Sequence, residues 1–279
     1  MRIDAHQHYW TMSRNDYGWI TPELPTLYRD YLPEDLEAHL AKHRFDGSIV
    51  VQAAPTVQET EYLFDMANRT DSILGVVGWL DLFDPNHRDH YERYRDHPKF
   101  VGLRIMIQDM ADPNSVLESS FVQALQSYAR EDVPVDLLVK SSQLDTLIAL
   151  LDRVPGLRGV VDHIGKPRIA SQIFEPWAAQ MLQIARHPNI YCKLSGMVTE
   201  ADHQTWRKEQ FVPYIRHALQ AFGPERAMFG SDWPVCLLAA GYDEVVDVLD
   251  SAIPATWGEA ERARLFGGNA KEFYKLRTE

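Results

Sequence analysis

The sequence predicts one α/β domain of the (β/α)8 class, a TIM barrel, and three observations carry this prediction. Eight short aliphatic or β-branched runs recur along the chain. Between them lie segments whose apolar residues repeat at intervals of three and four, as in helices that pack one face against a sheet. The 279 residues suit such a barrel, which needs about 250. A doubly wound open sheet is the alternative, but it gives no reason for a count of eight.

The predicted strands are short apolar runs bounded by turn residues. In chain order they cover residues 2–8, 48–53, 74–80, 100–107, 134–140, 158–164, 189–196 and 226–232. The spacing between consecutive runs is regular from the second strand onward, which favours a repeated strand and helix unit.

Helical patterns follow the strands. They cover residues 32–43, 59–69, 89–97, 119–132, 142–154, 174–187 and 210–223. Start and stop signals support two of them: Pro33 and two acidic residues open the first, and Gly223 before Pro224 closes the seventh. The eighth unit ends in the helical pattern of residues 259–276, which Gly267 and Gly268 interrupt.

The interval after the first strand is irregular. Residues 9–33 are rich in aromatic and turn residues and lack periodicity, so they predict a long ordered loop. In a barrel this loop lies on the face that carries active sites. Because no low-complexity linker occurs, we expect residues 1–279 to form a single domain.

Composition excludes several classes of partner. The net charge is −12 and no basic stripe occurs, so we expect no nucleic acid. No apolar run approaches the ~20 residues of a membrane span, and the first residues show no targeting pattern, which favours the cytoplasm. Cys192 and Cys236 lie in apolar segments, as buried reduced thiols do. A homodimer is left open.

Four polar residues stand at the carboxyl ends of predicted strands, where barrel enzymes carry their catalytic groups. His6 and His8 end strand one and share a face, because alternate residues of a strand point the same way. His163 ends strand six, and Asp232 ends strand eight beside Gly230, which would leave room for a ligand. The other eight histidines fall on predicted helices or loops and are expected at the surface.

Each of the four residues has a plain structural explanation, such as a local hydrogen bond or a helix cap. Four such coincidences at the strand ends of one barrel are a poor explanation. The sequence therefore predicts a functional site at this end of the barrel.

Further candidates surround this site. Arg104 on strand four and Lys193 on strand seven interrupt apolar runs, and each would contact a substrate or form an internal ion pair with a carboxylate. Tryptophans would wall a pocket for a small ring, with core packing as the alternative for each. They are Trp10 and Trp19 in the first loop, Trp79 after strand three, and Trp233.

Four stretches resemble the amidohydrolase superfamily in its branch of sugar-lactone hydrolases. They are "DAHQHYW", "VVDHIGKP", "CKLSGMVTEAD" and "MFGSDWPVCLLAAGYDEV", and the last two most resemble L-fuconolactonases and L-rhamnonolactonases. The likeness runs over nearly the whole chain in the right order. It implies that His6, His8, His163 and Asp232 correspond to the superfamily's active-site residues.

This resemblance has one departure that concerns the metal. Metal-dependent members usually also show a Lys, Glu or His on strand four or five, whereas strand four offers Arg104 and strand five has no histidine. We therefore expect no binuclear centre. A single divalent ion held by the three histidines and Asp232, with zinc the best match for imidazole, and catalysis without a metal both remain open.

The expected function is the hydrolysis of a sugar-acid lactone to the free aldonic acid. Asp232 would accept a proton from water, and the three histidines would hold the ion or donate hydrogen bonds to the carbonyl. Arg104 and Lys193 would anchor the substrate, and the first loop would cover it. The alternatives are a metal-dependent decarboxylase or amide hydrolase of the same superfamily, and a barrel that binds a small molecule without chemistry.

Overall fold

Eight parallel strands pair in sequence order, β1 to β8, in the computed structural model, which describes residues 1–276. The last three residues of the predicted domain, 277–279, lie outside the described residues. The strands are β1 (Ile3–Gln7), β2 (Gly47–Val51), β3 (Ile73–Gly78), β4 (Phe100–Met106), β5 (Val135–Leu138), β6 (Gly159–Val161), β7 (Ile190–Leu194) and β8 (Ala227–Phe229). The predicted fold class is confirmed, and each strand falls within or next to its predicted run.

The sheet closes between β1 and the chain that follows β8. His6 O accepts a hydrogen bond from Asp232 N at 2.8 Å, and His8 N donates to Trp233 O at 2.7 Å. A Cβ on Gly230 would meet the Cβ of His6 at 2.6 Å, so glycine allows the close approach of the two chain segments. The space beside Gly230 therefore accommodates His6, and not a ligand as the sequence suggested.

Helices surround the barrel. They are α1 (Pro33–Lys42), α2 (Val57–Ala67), α3 (His87–Tyr94), α4 (Ser119–Arg130), α5 (Leu144–Arg153), α6 (Trp177–Ile184), α7 (Val212–Phe222), α8 (Tyr242–Ala252), α9 (Glu259–Ala263) and α10 (Asn269–Phe273). The sequence interpretation missed α8, although Tyr242, Val245, Leu249 and Ala252 carry its apolar face at helical spacing. The predicted 259–276 segment divides into α9, a π-helical turn and α10.

The hydrophobic core has two parts. The larger lies between the strands and the helices. The smaller fills the lower barrel, where Ala270, Phe273 and Tyr274 of the last helix pack on Ile3 and Val160. The C-terminal helix therefore plugs the end of the barrel opposite the predicted site.

The segment between β1 and α1 is held in its conformation by hydrogen bonds between its own residues. Trp10 and Tyr31 exchange two backbone hydrogen bonds of 2.9 and 3.0 Å, and Trp10 Nε1 donates to Arg29 O at 2.8 Å. Between β1 and α1, the segment contains a 3-10 turn, Met12–Arg14, and an isolated β-bridge between Trp10 and Tyr31. Among residues 1–276, no helix has the length and apolar character that crossing a bilayer requires.

Candidate active site

Three histidines and one aspartate converge at the carboxyl end of the barrel. His6 Nε2 lies 3.2 Å from His8 Nε2 and 3.7 Å from Asp232 Oδ1. The same Asp232 oxygen lies 3.3 Å from His8 Nε2 and 3.9 Å from His163 Nε2. All four side chains are buried. The strand-end residues singled out in the sequence thus face a single point.

His8 is held in one orientation by β2. Its Nδ1 lies 2.7 Å from the carbonyl oxygen of Val51, and because a carbonyl only accepts, Nδ1 carries the hydrogen. In neutral His8, Nε2 is then an acceptor that lies 3.2 Å from His6 Nε2 and 3.3 Å from a second acceptor, Asp232 Oδ1. Such a contact needs a cation, a proton or a water between the two atoms.

His163 reaches the site through an unusual turn. The chain from His163 to Lys166 has four consecutive left-handed residues, with φ of 54°, 46°, 69° and 48°, and only Gly165 adopts this conformation freely. Ser195 Oγ lies 2.9 Å from His163 Nδ1 and fixes the ring. Asp232 also has a left-handed backbone, with φ of 57°. Strain at two adjacent site residues is typical of functional positions.

The charges of these groups follow from burial and from their neighbours. Burial lowers the pKa of His6 and of His163 well below the usual value, and it also lowers the pKa of His8. Burial raises the pKa of Asp232, but His163, His8 and Lys166 outweigh it, so that pKa lies below the usual value. At neutral pH the site therefore holds an ionised carboxylate among neutral imidazoles.

The donor set fits a divalent metal ion. His6, His8 and Asp232 offer ligand atoms within 4.8 Å of one another, as do His6, Asp162 and His163. Among residues 1–276, neither buried carboxylate oxygen of Asp162 accepts a hydrogen bond, although Lys193 Nζ lies 3.2 Å from Oδ1. Atoms bound to a tetrahedral ion at about 2.0–2.1 Å lie roughly 3.4 Å apart, close to the 3.2–3.7 Å seen among the first three residues.

A buried polar layer lies directly below this point. The Arg104 guanidinium binds the side chain and the backbone carbonyl of Gln52, and its Nη1 lies 3.9 Å from Asp162 Oδ2. Lys193 Nζ pairs with Asp136, and it lies 3.2 Å from Asp162 Oδ1 and 3.1 Å from His6 Nδ1. Two cations and two carboxylates thus balance inside the barrel.

This layer decides between the two roles open to Lys193. The side chain is 0% exposed and is enclosed by Asp136, Asp162, His6 and the ring of Tyr274. It forms the internal ion pair, and this placement replaces the expected contact with substrate. Arg104 is 4% exposed, and Nη1 is the one guanidinium nitrogen without a hydrogen bond to the described residues, so it stays a candidate for substrate binding.

The predicted aromatic wall is only partly at the site. Trp19 is 39% exposed, and its Nε1 donates to Ala53 O after β2 at 2.9 Å, which places it at the rim. Trp79 follows β3 and is half-buried. Trp10 and Trp233 are buried, and Trp233 packs edge-on against Tyr31 with ring centroids 5.1 Å apart. Those two tryptophans therefore belong to the core, because burial leaves them no ligand-facing surface.

Several polar residues of the site escaped the sequence interpretation. Asp162 stands next to His163, and strand alternation would have put it on the opposite face. Asp136 lies within the apolar strand β5 and signals its role only through the cationic Lys193. Gln52, directly after β2, is uncharged, so the sequence offered no reason to place it at the site. Buried carboxylates in apolar runs were the available signal.

The fold is a parallel eight-stranded barrel, and three histidines and an aspartate lie at its mouth. This combination is typical of barrel hydrolases. The chain belongs to the amidohydrolase family, whose model matches residues 3–276. It is 40% identical over 279 residues to an L-fucono-1,5-lactonase of Burkholderia ambifaria, covering 99% of this chain and 96% of the relative. The predicted membership is thereby confirmed.

Two further comparisons agree. An L-fucono-1,5-lactonase of Burkholderia multivorans is 38% identical over 289 residues, with coverage of 99% and 96%. A crystal structure of an amidohydrolase from Burkholderia multivorans with bound zinc superposes with a TM-score of 0.93 at 38% identity, covering 99% of this chain and all of that one. The zinc belongs to that crystal structure, while the present chain has a His and Asp set that suits a metal.

Proposed function

We propose that the protein hydrolyses the lactone of a sugar acid, an L-fucono-, L-rhamnono- or related aldonolactone, to the free aldonic acid. The observation that carries this proposal is the buried Asp232 carboxylate at the mouth of the barrel, whose Oδ1 lies 3.3–3.9 Å from the Nε2 atoms of three histidines. The two lactonases of 38–40% identity over nearly the full chain support the substrate class.

The chemistry asked of the site is that of ester hydrolysis. A lactone needs a positioned water, a base for its proton and donors for the oxyanion. Asp232 accepts a proton as the water oxygen bonds to the carbonyl carbon. The acyl C–O bond of the ring then breaks, and Asp232 returns the proton to the departing alkoxide. One water is consumed and no other reactant is needed.

The neighbouring residues support this cycle. Neutral His163 donates a hydrogen bond to the carbonyl or assists in orienting the water, with Ser195 holding its ring. Arg104 offers Nη1 to the oxyanion, and its other nitrogens are fixed on Gln52. Trp19 at the rim packs on the sugar ring.

His6, His8, His163 and Asp232 are the residues that would hold a divalent ion, and we propose zinc. When bound, the ion supplies Lewis-acid polarisation of the substrate carbonyl. Asp162 and Lys193, in the buried polar layer below the site, position His6 whether or not an ion is bound.

The competing functions lack a supporting observation at the site. In a metal-dependent decarboxylase or amide hydrolase we would expect a further ligand on strand four or five, whereas β4 offers Arg104 and the polar residue of β5 is Asp136, which pairs with Lys193. A non-catalytic binding barrel would not require a strained His163 and Asp232. A homodimer and a cytoplasmic location remain predictions.

The test is a panel of aldonolactones that differ in stereochemistry and ring size, followed by proton release with a pH indicator, with and without added zinc. Hydrolysis of an L-configured lactone at kcat/KM of at least about 10⁴ M⁻¹s⁻¹ is expected. Carbon dioxide release from aromatic acids, or no turnover of any lactone, would refute the proposal.

A further inference from the structure

An incompletely paired ion pair lies on the loops at the mouth of the barrel. Lys166 follows β6 and Glu200 follows β7, and Lys166 Nζ lies 3.8 Å from Glu200 Oε1. This distance is too long for a hydrogen bond. Within residues 1–276, neither side chain makes another hydrogen bond, although the two are only 22% and 26% exposed. Three ammonium donors and the carboxylate acceptors are thus left for a ligand.

Both residues lie on loops that also contact the residues of the predicted site. Lys166 stands three residues after His163, whose Nε2 lies 3.9 Å from Asp232 Oδ1. Glu200 lies on the loop after β7, and Thr199 Oγ1 next to it donates a hydrogen bond to Gly196 O at 3.0 Å. Gly196 links the two places, because a Cβ there would lie 3.0 Å from Asp232 Oδ2, and Glu200 follows four residues later.

The backbone holds this pair in place at some cost. Lys166 is the last of the four left-handed residues, and its N–H donates to His163 O at 2.8 Å. Ile164 anchors the turn from below, buried and accepting a hydrogen bond from Trp177 Nε1 at 2.7 Å. Ala170 N donates to Glu200 O at 2.9 Å and joins the two loops. The turn that directs His163 inward therefore also sets Lys166 on the rim.

We propose that Lys166 and Glu200 form the subsite that binds ring hydroxyls of the lactone, and so determine specificity for a polyhydroxylated ring. The inference rests on the proposed function. A hydroxyl accepts from an ammonium and donates to a carboxylate, so a cation and an anion side by side match neighbouring hydroxyls. A ligand without hydroxyls would cover both charges and leave them unpaired, which sites of this kind reject strongly.

The experiment compares a hydroxylated six-membered aldonolactone with δ-valerolactone, the same ring without hydroxyls. δ-Valerolactone is scored as a substrate, or as a competitive inhibitor where its turnover is below detection. In Lys166→Met and Glu200→Gln we expect the preference for the hydroxylated lactone, as a ratio of kcat/KM or of affinity, to fall at least about 100-fold. Lys208→Met is the control, because Lys208 forms an exposed pair with Asp247.

The possible results separate the two proposals. Wild-type protein that hydrolyses no lactone refutes the proposed function before any variant is made. Suppose that the wild-type protein hydrolyses the lactone, and that both variants keep a preference within threefold of the wild-type preference. This result overturns the subsite alone, even if the absolute rates of the variants fall. If Lys166→Met does not fold, as judged by circular dichroism, the nearly isosteric Glu200→Gln decides the question.

Discussion

His8 Nε2 and Asp232 Oδ1 lie 3.3 Å apart, and the only proton of neutral His8 is engaged on the other side of its ring by Val51 O at 2.7 Å. The contact therefore joins two acceptors. This arrangement is costly in an empty buried site and favourable once a water proton or a cation lies between the two atoms. This contact between two acceptors is the clearest structural indication of a functional site at the mouth of the barrel.

Asp232→Asn removes the proposed base while keeping the shape of the side chain. We expect lactone turnover to fall by about 10²- to 10⁴-fold, the contribution typical of general-base catalysis. The melting temperature should stay within a few degrees of wild type, because the backbone bond from Asp232 N to His6 O remains. Asp250→Asn, an exposed surface change, serves as the control. Near-normal turnover in Asp232→Asn would remove this residue from the base role.

The proposed metal site includes the same acceptor pair. We expect protein purified after incubation with zinc to retain about one equivalent by elemental analysis, and His8→Ala or Asp232→Ala to retain far less. His203→Ala, a change at an exposed histidine, should bind like wild type. Equal zinc content in all of these proteins would show that the metal binds elsewhere. Lactone assays after chelation measure separately whether the ion is needed for turnover.

In the proposed mechanism His163 acts through a ring that Ser195 orients. His163→Ala should lower kcat/KM by at least about 100-fold without unfolding the protein, because it removes a donor near the oxyanion. Ser195→Ala should give a smaller loss, since the ring stays but loses the 2.9 Å contact that fixes it. A stable His163→Ala protein with full activity would make this histidine structural, as would a larger loss in Ser195→Ala than in His163→Ala.

Lys193 contributes to stability through the buried charge balance. Lys193→Met leaves Asp136 and Asp162 without their main cation, so we expect the free energy of unfolding to fall by about 3–5 kcal/mol. Tyr274→Phe removes one 2.7 Å hydrogen bond to Asp136 and should cost less, about 1–3 kcal/mol. Lys42→Met, at an exposed pair, should change stability by under about 1 kcal/mol. Urea unfolding of the three variants ranks these costs, and equal values for Lys193→Met and Lys42→Met would contradict the argument.

Sequence periodicity was enough for the barrel and for the strand ends. The spacing of His6 and His8 specified a shared face, because a strand leaves little freedom in where alternate side chains point. Prediction stopped where the backbone leaves the regular strand. The left-handed turn at His163 rotates this residue to the same side as Asp162, and strand alternation gives the opposite result. No residue in "DHIGKP" except the glycine announces that turn.

Long-range pairing was the other missing information. An arginine or lysine in an apolar run indicates an internal partner but does not say which carboxylate lies opposite. Lys193 and Asp136 are 57 residues apart, and the register of the barrel brings them together. Trp233 looked like a pocket wall because it follows Asp232, yet its ring points into the aromatic core. The local sequence predicts that a residue lies at the mouth of the barrel. It does not predict the direction in which the side chain of that residue points.

Glu59 links stability to pH. The carboxyl group is buried and accepts hydrogen bonds from Ala53 N and Ala54 N at 2.7–3.0 Å, which holds the loop that carries Gln52 and the carbonyl bound by Trp19. Burial raises its pKa from 4.5 to about 8, although the bonds from Ala54 and Ala53 oppose the shift. Between those two pH values the folded state keeps a proton that the unfolded state releases. The free energy of unfolding should therefore fall as pH rises through this window, by up to about 1.4 kcal/mol per pH unit.

Glu59→Gln isolates this contribution. The neutral amide cannot titrate, so the stability difference between wild type and Glu59→Gln should shift against wild type by a few kcal/mol between pH 5 and 8, as measured by urea unfolding. Glu61→Gln changes an exposed residue of the same helix, and its difference from wild type should stay flat between pH 6 and 8. If the Glu59→Gln difference is also flat, the carboxyl group ionises in the folded protein as it does in the unfolded chain. The loop would then be held by an ordinary carboxylate, and its hydrogen bonds from Ala53 and Ala54 would outweigh the cost of burial.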